Sequence, residues 1–272
     1  VAGGGYARPD LLVDVDWLAE YRDDPDLLVV GLMPADTFAG GSIPGSVQID
    51  WPDLEVTDTS DASLAGWRAD VEGQLTALGV TRERTVVAYD EGTLFAARLW
   101  WVLHYLGHEQ VRVLNGGLPA WTAAGQEVAT GEAMPMAAGV AYVGEPRPEV
   151  LAQVPEVEAA IGDPGTVLVD ARTPDEYAAG HIPGAINVNY PLNAEPDAPR
   201  SWKSAADLNR LYGEVGVMPG RRVIPYCSTG VRSAVTFFSL HLTGYDNVAL
   251  FTGSWAEWSA DPGRPVTTGN AP

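Results

Sequence analysis

The stretch TVLVDARTPDEYAAGHIPGAINVNY, residues 166–190, aligns without a gap on LLVVGLMPADTFAGGSIPGSVQIDW, residues 27–51, which lies 139 positions earlier. A second pair follows in the same order. RTVVAYDEGTLFAARLWWVLHYLGHEQVRVLNGGLPAWTAAGQEV (84–128) matches RRVIPYCSTGVRSAVTFFSLHLTGYDNVALFTGSWAEWSADPGRPV (221–266) at an offset of 137 over most of its length. Two long segments in one order at nearly one offset make the chain a tandem of two homologous units. In each unit an apolar run (27–30; 167–169) leads to an Ile-Pro-Gly turn. A second run (86–89; 223–226) precedes a helix-like segment, and a third run (111–114; 248–251) follows it. Apolar runs alternating with helical segments predict an α/β fold, two tandem domains each with a mainly parallel sheet flanked by helices. Pro44 and Pro183 fix the turns.

Residues 131–150 hold three prolines and three glycines without a sustained period. They are the expected linker between a first domain, 1–130, and a second, 151–272. The length of 272 residues agrees with two domains. No segment approaches the roughly 18 uninterrupted apolar residues of a membrane span. Asp and Glu outnumber Lys and Arg 36 to 16, for a formal charge of −20. That balance argues against nucleic-acid or anionic-membrane partners, which need a basic surface. A single cysteine forms no internal disulfide, which fits a reducing compartment and a cytoplasmic location. The opening VAGGGYARPD has no Met and no apolar core, so export after removal of a leader is the alternative.

The cysteine, Cys227, directly follows a strand-like run and precedes the helix-like segment 233–242. The carboxyl end of a strand is where α/β sheets bind ligands. The loop Cys227-Ser228-Thr229-Gly230-Val231-Arg232 would turn its N–H groups inward at a helix N-terminus, a field that favours thiolate over thiol. Gly230 permits the tight backbone, Ser228, Thr229 and Ser233 add hydroxyls, and Arg232 can hold an anion or stabilise charge on sulfur. Read alone, Cys227 is equally a small buried hydrophobe. The repeat separates the two readings: the first unit has Asp90 in the cysteine's place, so one unit looks catalytic and the other retired.

The run DARTPDEYAAGHIPGAINV (170–188), the six-residue loop Cys227–Arg232 and GSWAEW (253–258) together resemble the two-domain rhodanese family, and the similarity extends from about residue 10 to 266. The resemblance implies an inactive first domain and a catalytic second domain carrying a persulfide on Cys227. It implies a thiosulfate sulfurtransferase acting on a small-molecule sulfur donor, with cyanide, a thiol or a sulfur-acceptor protein receiving the sulfur. It calls for no cofactor and no metal, and a monomer is expected. Arg172 is carried over as a donor-binding or loop-supporting residue with Asp170 as its partner, and His181 as structural support.

The donor is less sharply marked. Ser228 and Thr229 look more like the mercaptopyruvate branch, yet the acid and histidine that branch takes from its first domain correspond here to Gly31 and Ser42. Arg232 supplies a cation, so thiosulfate leads and 3-mercaptopyruvate is the alternative. The related phosphatases resemble Cys, five residues, Arg; four residues here favour sulfur transfer over a cysteine-dependent phosphatase or arsenate reductase. A sulfur-relay protein, whose acceptor is another protein, is a further reading. His104 and His108 have the i, i+4 spacing of a metal pair but no third ligand nearby, so helix packing is expected. Trp100 and Trp101 read as core. Trp255, opposite Leu118 in the repeat, is expected to line the pocket.

Overall fold

The computed structural model describes residues 4–133 and 140–272. In the first unit the strands are β1 (Leu12–Val13), β2 (Leu27–Leu32), β3 (Val47–Ile49), β4 (Thr85–Tyr89) and β5 (Val111–Leu114). They form one parallel sheet in the order β1-β5-β4-β2-β3. Helices α1 (Val15–Tyr21), α2 (Ala35–Gly40), α3 (Asp61–Ala77), α4 (Ala96–Tyr105) and α5 (Gly117–Ala123) flank it. Every residue of β2 is buried, as expected of a parallel strand covered on both faces, which is why its sequence is a continuous apolar run without alternation. By contrast α3 buries only Leu64, Trp67, Val71 and Leu75, a single stripe at helical spacing.

The second unit contains α6 (Val154–Ala160), β6 (Thr166–Asp170), α7 (Pro174–Ala179), β7 (Ile186–Asn187), α8 (Ala205–Glu214), β8 (Arg222–Tyr226), α9 (Val231–Leu242) and α10 (Ser254–Ser259). Its strands lie parallel in the order β7-β6-β8. The run 248–251, expected as a third long strand, forms only two parallel bridges, Val223 with Val248 and Leu151 with Leu250. The reason is Pro225. Val223 N–H donates to Asn247 O, and the N–H groups of Ala249 and Phe251 donate to the carbonyls of Val223 and Pro225. The ladder bond that Pro225 should donate cannot form, because proline has no N–H. Strand neighbours otherwise follow the first unit, with Leu151 in the place of β1.

The two units meet through the helices that follow their equivalent loops. Trp100 of α4 packs edge-on against Phe238 of α9 with ring centroids 4.9 Å apart, and His104 meets His241 at 4.9 Å. One apolar core runs through both units, from Leu12 and Val86 to Val223 and Leu250. Residues 134–139 of the expected linker lie outside the described residues. From Val140 onward the segment lies along the first unit: Gly144 N–H donates to Glu72 Oε1 at 2.9 Å, and those of Glu145 and Arg147 to the carbonyls of Leu106 and Tyr105 at 2.8 and 2.7 Å.

Candidate active site

Cys227 sits immediately after β8, at the carboxyl ends of the parallel strands, and its thiol-bearing residue is only 1% exposed. Gly230 then takes a left-handed conformation, φ 89°, from which α9 begins. Only glycine fits: a Cβ here would stand 2.6 Å from the carbonyl oxygen of Thr252. The turn carries the Gly230 N–H onto Cys227 Sγ at 3.2 Å. A donated N–H at a helix N-terminus stabilises negative charge on the sulfur it faces. The loop is also tied to α10. Cys227 N–H donates to Ser254 Oγ at 3.1 Å, while the N–H groups of Trp255 and Ala256 donate to the carbonyls of Cys227 and Ser228, each at 3.0 Å.

In the first unit the equivalent nest is already filled. Asp90 Oδ1 accepts from the N–H groups of Gly92 and Thr93 at 2.7 and 3.0 Å, and Oδ2 from Ala96 N–H at 2.9 Å. Burial pushes the Asp90 carboxyl above its ordinary range, and the backbone donors pull it back. A fixed side chain thus occupies the first unit's loop amides, whereas in the second unit the Gly230 amide faces a sulfur.

The loop side chains are held by carboxylates. Arg232 makes a bidentate pair with Glu176, both bonds 2.8 Å, and its Nη2 also donates to Ser228 Oγ at 2.6 Å. The Arg232 hydrogen bonds hold the Glu176 carboxyl down to about 2. Glu176 also closes a capping box with Thr173 at the start of α7. Thr229 Oγ1 donates to Glu55 of the first unit. Val231 and Ser233 are buried in the first turn of α9, and Ser233 Oγ has no partner among the described residues.

Other expected positions are placed differently. Arg172 is 3% exposed; its Nε and Nη2 bind Asp170, and Nη2 also donates to Gly180 O at 2.7 Å. The Trp255 ring lies over its guanidinium at 4.5 Å and against Gly180. The buried Asp170 carboxylate thus engages the Arg172 guanidinium, and the guanidinium engages the half-buried Trp255 indole. His181 is fully buried, with Nδ1 and Nε2 against the carbonyls of Tyr177 and Ala271 at 2.9 and 3.1 Å. His104 packs against α9, and His108 Nε2 lies 3.0 Å from Arg84 O.

Sequence reasoning missed Ser254, Glu176, Glu55, Arg98 and Thr252 as parts of the site. A signal existed for three, and for Arg98 it is the alignment with Val235, a charge present in one copy only. Ser254 aligns with Gly117 and shares its left-handed backbone, φ 55° against 57°, so a side chain is kept where glycine would be easier. Glu176 aligns with Thr37, a charge present in one copy only. Glu55 lies between the aligned segments, where the repeat says nothing.

Residues 14–124 and 153–261 each match the Rhodanese-like domain. The chain is 34% identical to the thiosulfate sulfurtransferase of Pseudomonas aeruginosa, covering 94% of this chain and 96% of that protein. It is 36% identical to a probable 3-mercaptopyruvate sulfurtransferase of the same organism, covering 95% and 98%. Among solved structures it is similar to the 3-mercaptopyruvate sulfotransferase SseA of Escherichia coli, with TM-score 0.78, 31% identity and coverage of 91% and 99%.

Proposed function

The chain belongs to the rhodanese family of sulfurtransferases, and from that premise we propose that it moves the sulfane sulfur of thiosulfate to cyanide or a thiol through a persulfide on Cys227. The Cys227 thiolate attacks the outer sulfur of thiosulfate; the S–S bond of the donor breaks and sulfite leaves with the electron pair. The resulting Cys–S–S⁻ is held by the loop N–H groups. Cyanide or a thiolate then attacks the outer sulfur, giving thiocyanate or a new persulfide and restoring the Cys227 thiolate. Residues 1–130 serve as the inactive domain, 131–150 as linker and 151–272 as the catalytic domain of a monomer. No helix among the described residues is long and apolar enough to cross a membrane, and we place the protein in the cytoplasm.

The observation that carries this reading is the contrast between the two nests: Gly230 N–H faces a sulfur in one, and Asp90 fills the other. A second donor, 3-mercaptopyruvate, is favoured by one feature. Glu176 already neutralises Arg232, so a dianion finds no free cation on the loop. With that donor the C–S bond breaks, pyruvate leaves as its enolate, and the thiol proton ends on carbon.

The test is incubation with each donor, mass spectrometry of Cys227, and thiocyanate measurement with cyanide present. Thiosulfate should add one sulfur and support turnover that Cys227→Ser abolishes. No adduct from either donor, or undiminished turnover in Cys227→Ser, overturns the reading.

A further inference from the structure

Arg98 lies in α4 of the inactive unit, is fully buried, and pairs with no carboxylate among the described residues. Its Nη1 donates to Thr252 Oγ1 at 3.0 Å and its Nη2 to Leu54 O, its guanidinium stacks on Trp101 at 4.9 Å, and its buried Nε has no partner among the described residues. An isolated cation taken out of water costs several kcal/mol unless an anion answers it. Nothing in its hydrogen-bonding shell carries a full negative charge. What lies beyond that shell is the cysteine loop. Thr252 stands directly behind Gly230, with its O and Oγ1 at 2.6 and 2.8 Å from where a Gly230 Cβ would be, and Gly230 N–H faces Cys227 Sγ.

We propose that Arg98, supplied across the interface by the inactive unit, is a positioning residue that serves as the fixed counter-charge for anionic sulfur on Cys227 and braces its loop through Thr252. The thiolate and the persulfide are the anions this buried cation awaits. Burial pushes the Arg98 guanidinium down to about 10, so it stays charged at neutral pH, and the groups that favour its charge are Cys227 and Glu55. The other charges near the sulfur are Arg232, which also bears on Cys227 but is shared with the Glu176 carboxylate, and Glu55, held by Thr229. Arg98 is thus the cation behind the loop that makes no ion pair with a carboxylate among the described residues. In the repeat it aligns with Val235, so the charge is found in the partner unit only. On this reading the first unit contributes a charge to its neighbour's cysteine loop.

The role of Cys227 as sulfur carrier rests on the sulfurtransferase reading, so the test uses alkylation of Cys227 by iodoacetamide, which needs no sulfur transfer. Arg98→Gln keeps a polar amide in the site but removes the charge; Arg98→Lys keeps the charge and loses the fork. Arg98→Gln should slow alkylation at neutral pH about tenfold, equivalent to about 1.4 kcal/mol, and move the pH–rate profile to higher pH. Arg98→Lys should retain most of the wild-type rate. Because the cation is buried, 0.5 M salt should not erase the difference. A folded Arg98→Gln protein with the wild-type profile overturns the proposal. If Arg98→Gln fails to fold, a folded Arg98→Lys protein that alkylates as slowly as a denatured thiol overturns it, and one with the wild-type profile supports it. Failure of thiosulfate to form a persulfide on wild-type Cys227 would instead strike the sulfurtransferase reading and leave the alkylation result standing.

Discussion

Ser254 holds φ 55°, a conformation that costs a non-glycine residue about 1 kcal/mol or more. Its Oγ accepts the Cys227 N–H and donates to Phe251 O at 2.9 Å, so the strained backbone is kept for what the hydroxyl does. Ser254→Gly should relieve the strain and lose these bonds, leaving stability within about 1 kcal/mol of wild type in urea unfolding. Sulfur-transfer turnover should nonetheless fall, because the nucleophile's N–H is released. Unchanged thiocyanate production would show that Ser254 is there for packing alone. Glu176 poses a different question, since an anionic donor must compete with it for Arg232. Glu176→Gln preserves an acceptor for the α7 cap and removes the competing charge. The KM for thiosulfate should drop about threefold, within the range of exposed ion pairs, and a KM that rises would mean the pair orders the loop instead.

The element that organises the site is the β8–loop–α9 unit. A strand ending at Tyr226, a left-handed glycine three residues after the cysteine and a helix starting at Val231 bring the Gly230 N–H onto the sulfur. Gly230→Ala meets both the unfavourable φ of 89° and the Thr252 carbonyl at 2.6 Å. We expect a loss of about 1–3 kcal/mol in denaturant unfolding and a larger proportional loss of persulfide formation, since the shifted loop moves the amide off the sulfur. The first unit builds a similar strand–loop–helix element but closes it on Asp90. There the glycine, Gly92, follows the aspartate by two residues, and Leu94 takes the left-handed position, φ 70°. Pro225 removes one ladder bond from β8 just before the cysteine, on the outer side of the three-stranded sheet, where proline is tolerated.

At the scale of the whole molecule the units share one core, and the interface carries a histidine pair. His104 and His241 are pushed down to about 3 and about 4, chiefly by burial, with each other or nearby Arg8 and Arg147 adding to it and Asp246 opposing it for His241. Both are therefore neutral in the folded protein, whereas unfolded histidine takes up its proton near 6.5. Between about pH 6.5 and 4 the unfolded chain binds more protons, so stability is full above 6.5 and declines as pH falls, by up to about 1.4 kcal/mol per pH unit for each ring. The melting temperature should fall over that window, and combining His104→Phe with His241→Phe should flatten the slope; an unaltered slope would locate the acid sensitivity elsewhere. The sequence by itself determined the duplication, the α/β class and which copy bears the cysteine, because strand runs, turn chemistry and a one-sided cysteine are properties of local order. It paired Arg172 with Asp170 and passed over the carboxylates and Arg98. Those roles depend on contacts between residues far apart in the chain: 56 positions separate Glu176 from Arg232, 174 separate Glu55 from Thr229, and 154 separate Arg98 from Thr252. A charge reads as free in sequence, and only the tertiary structure decided which partner each one meets, because desolvation and pairing are set by the packing of one unit on the other.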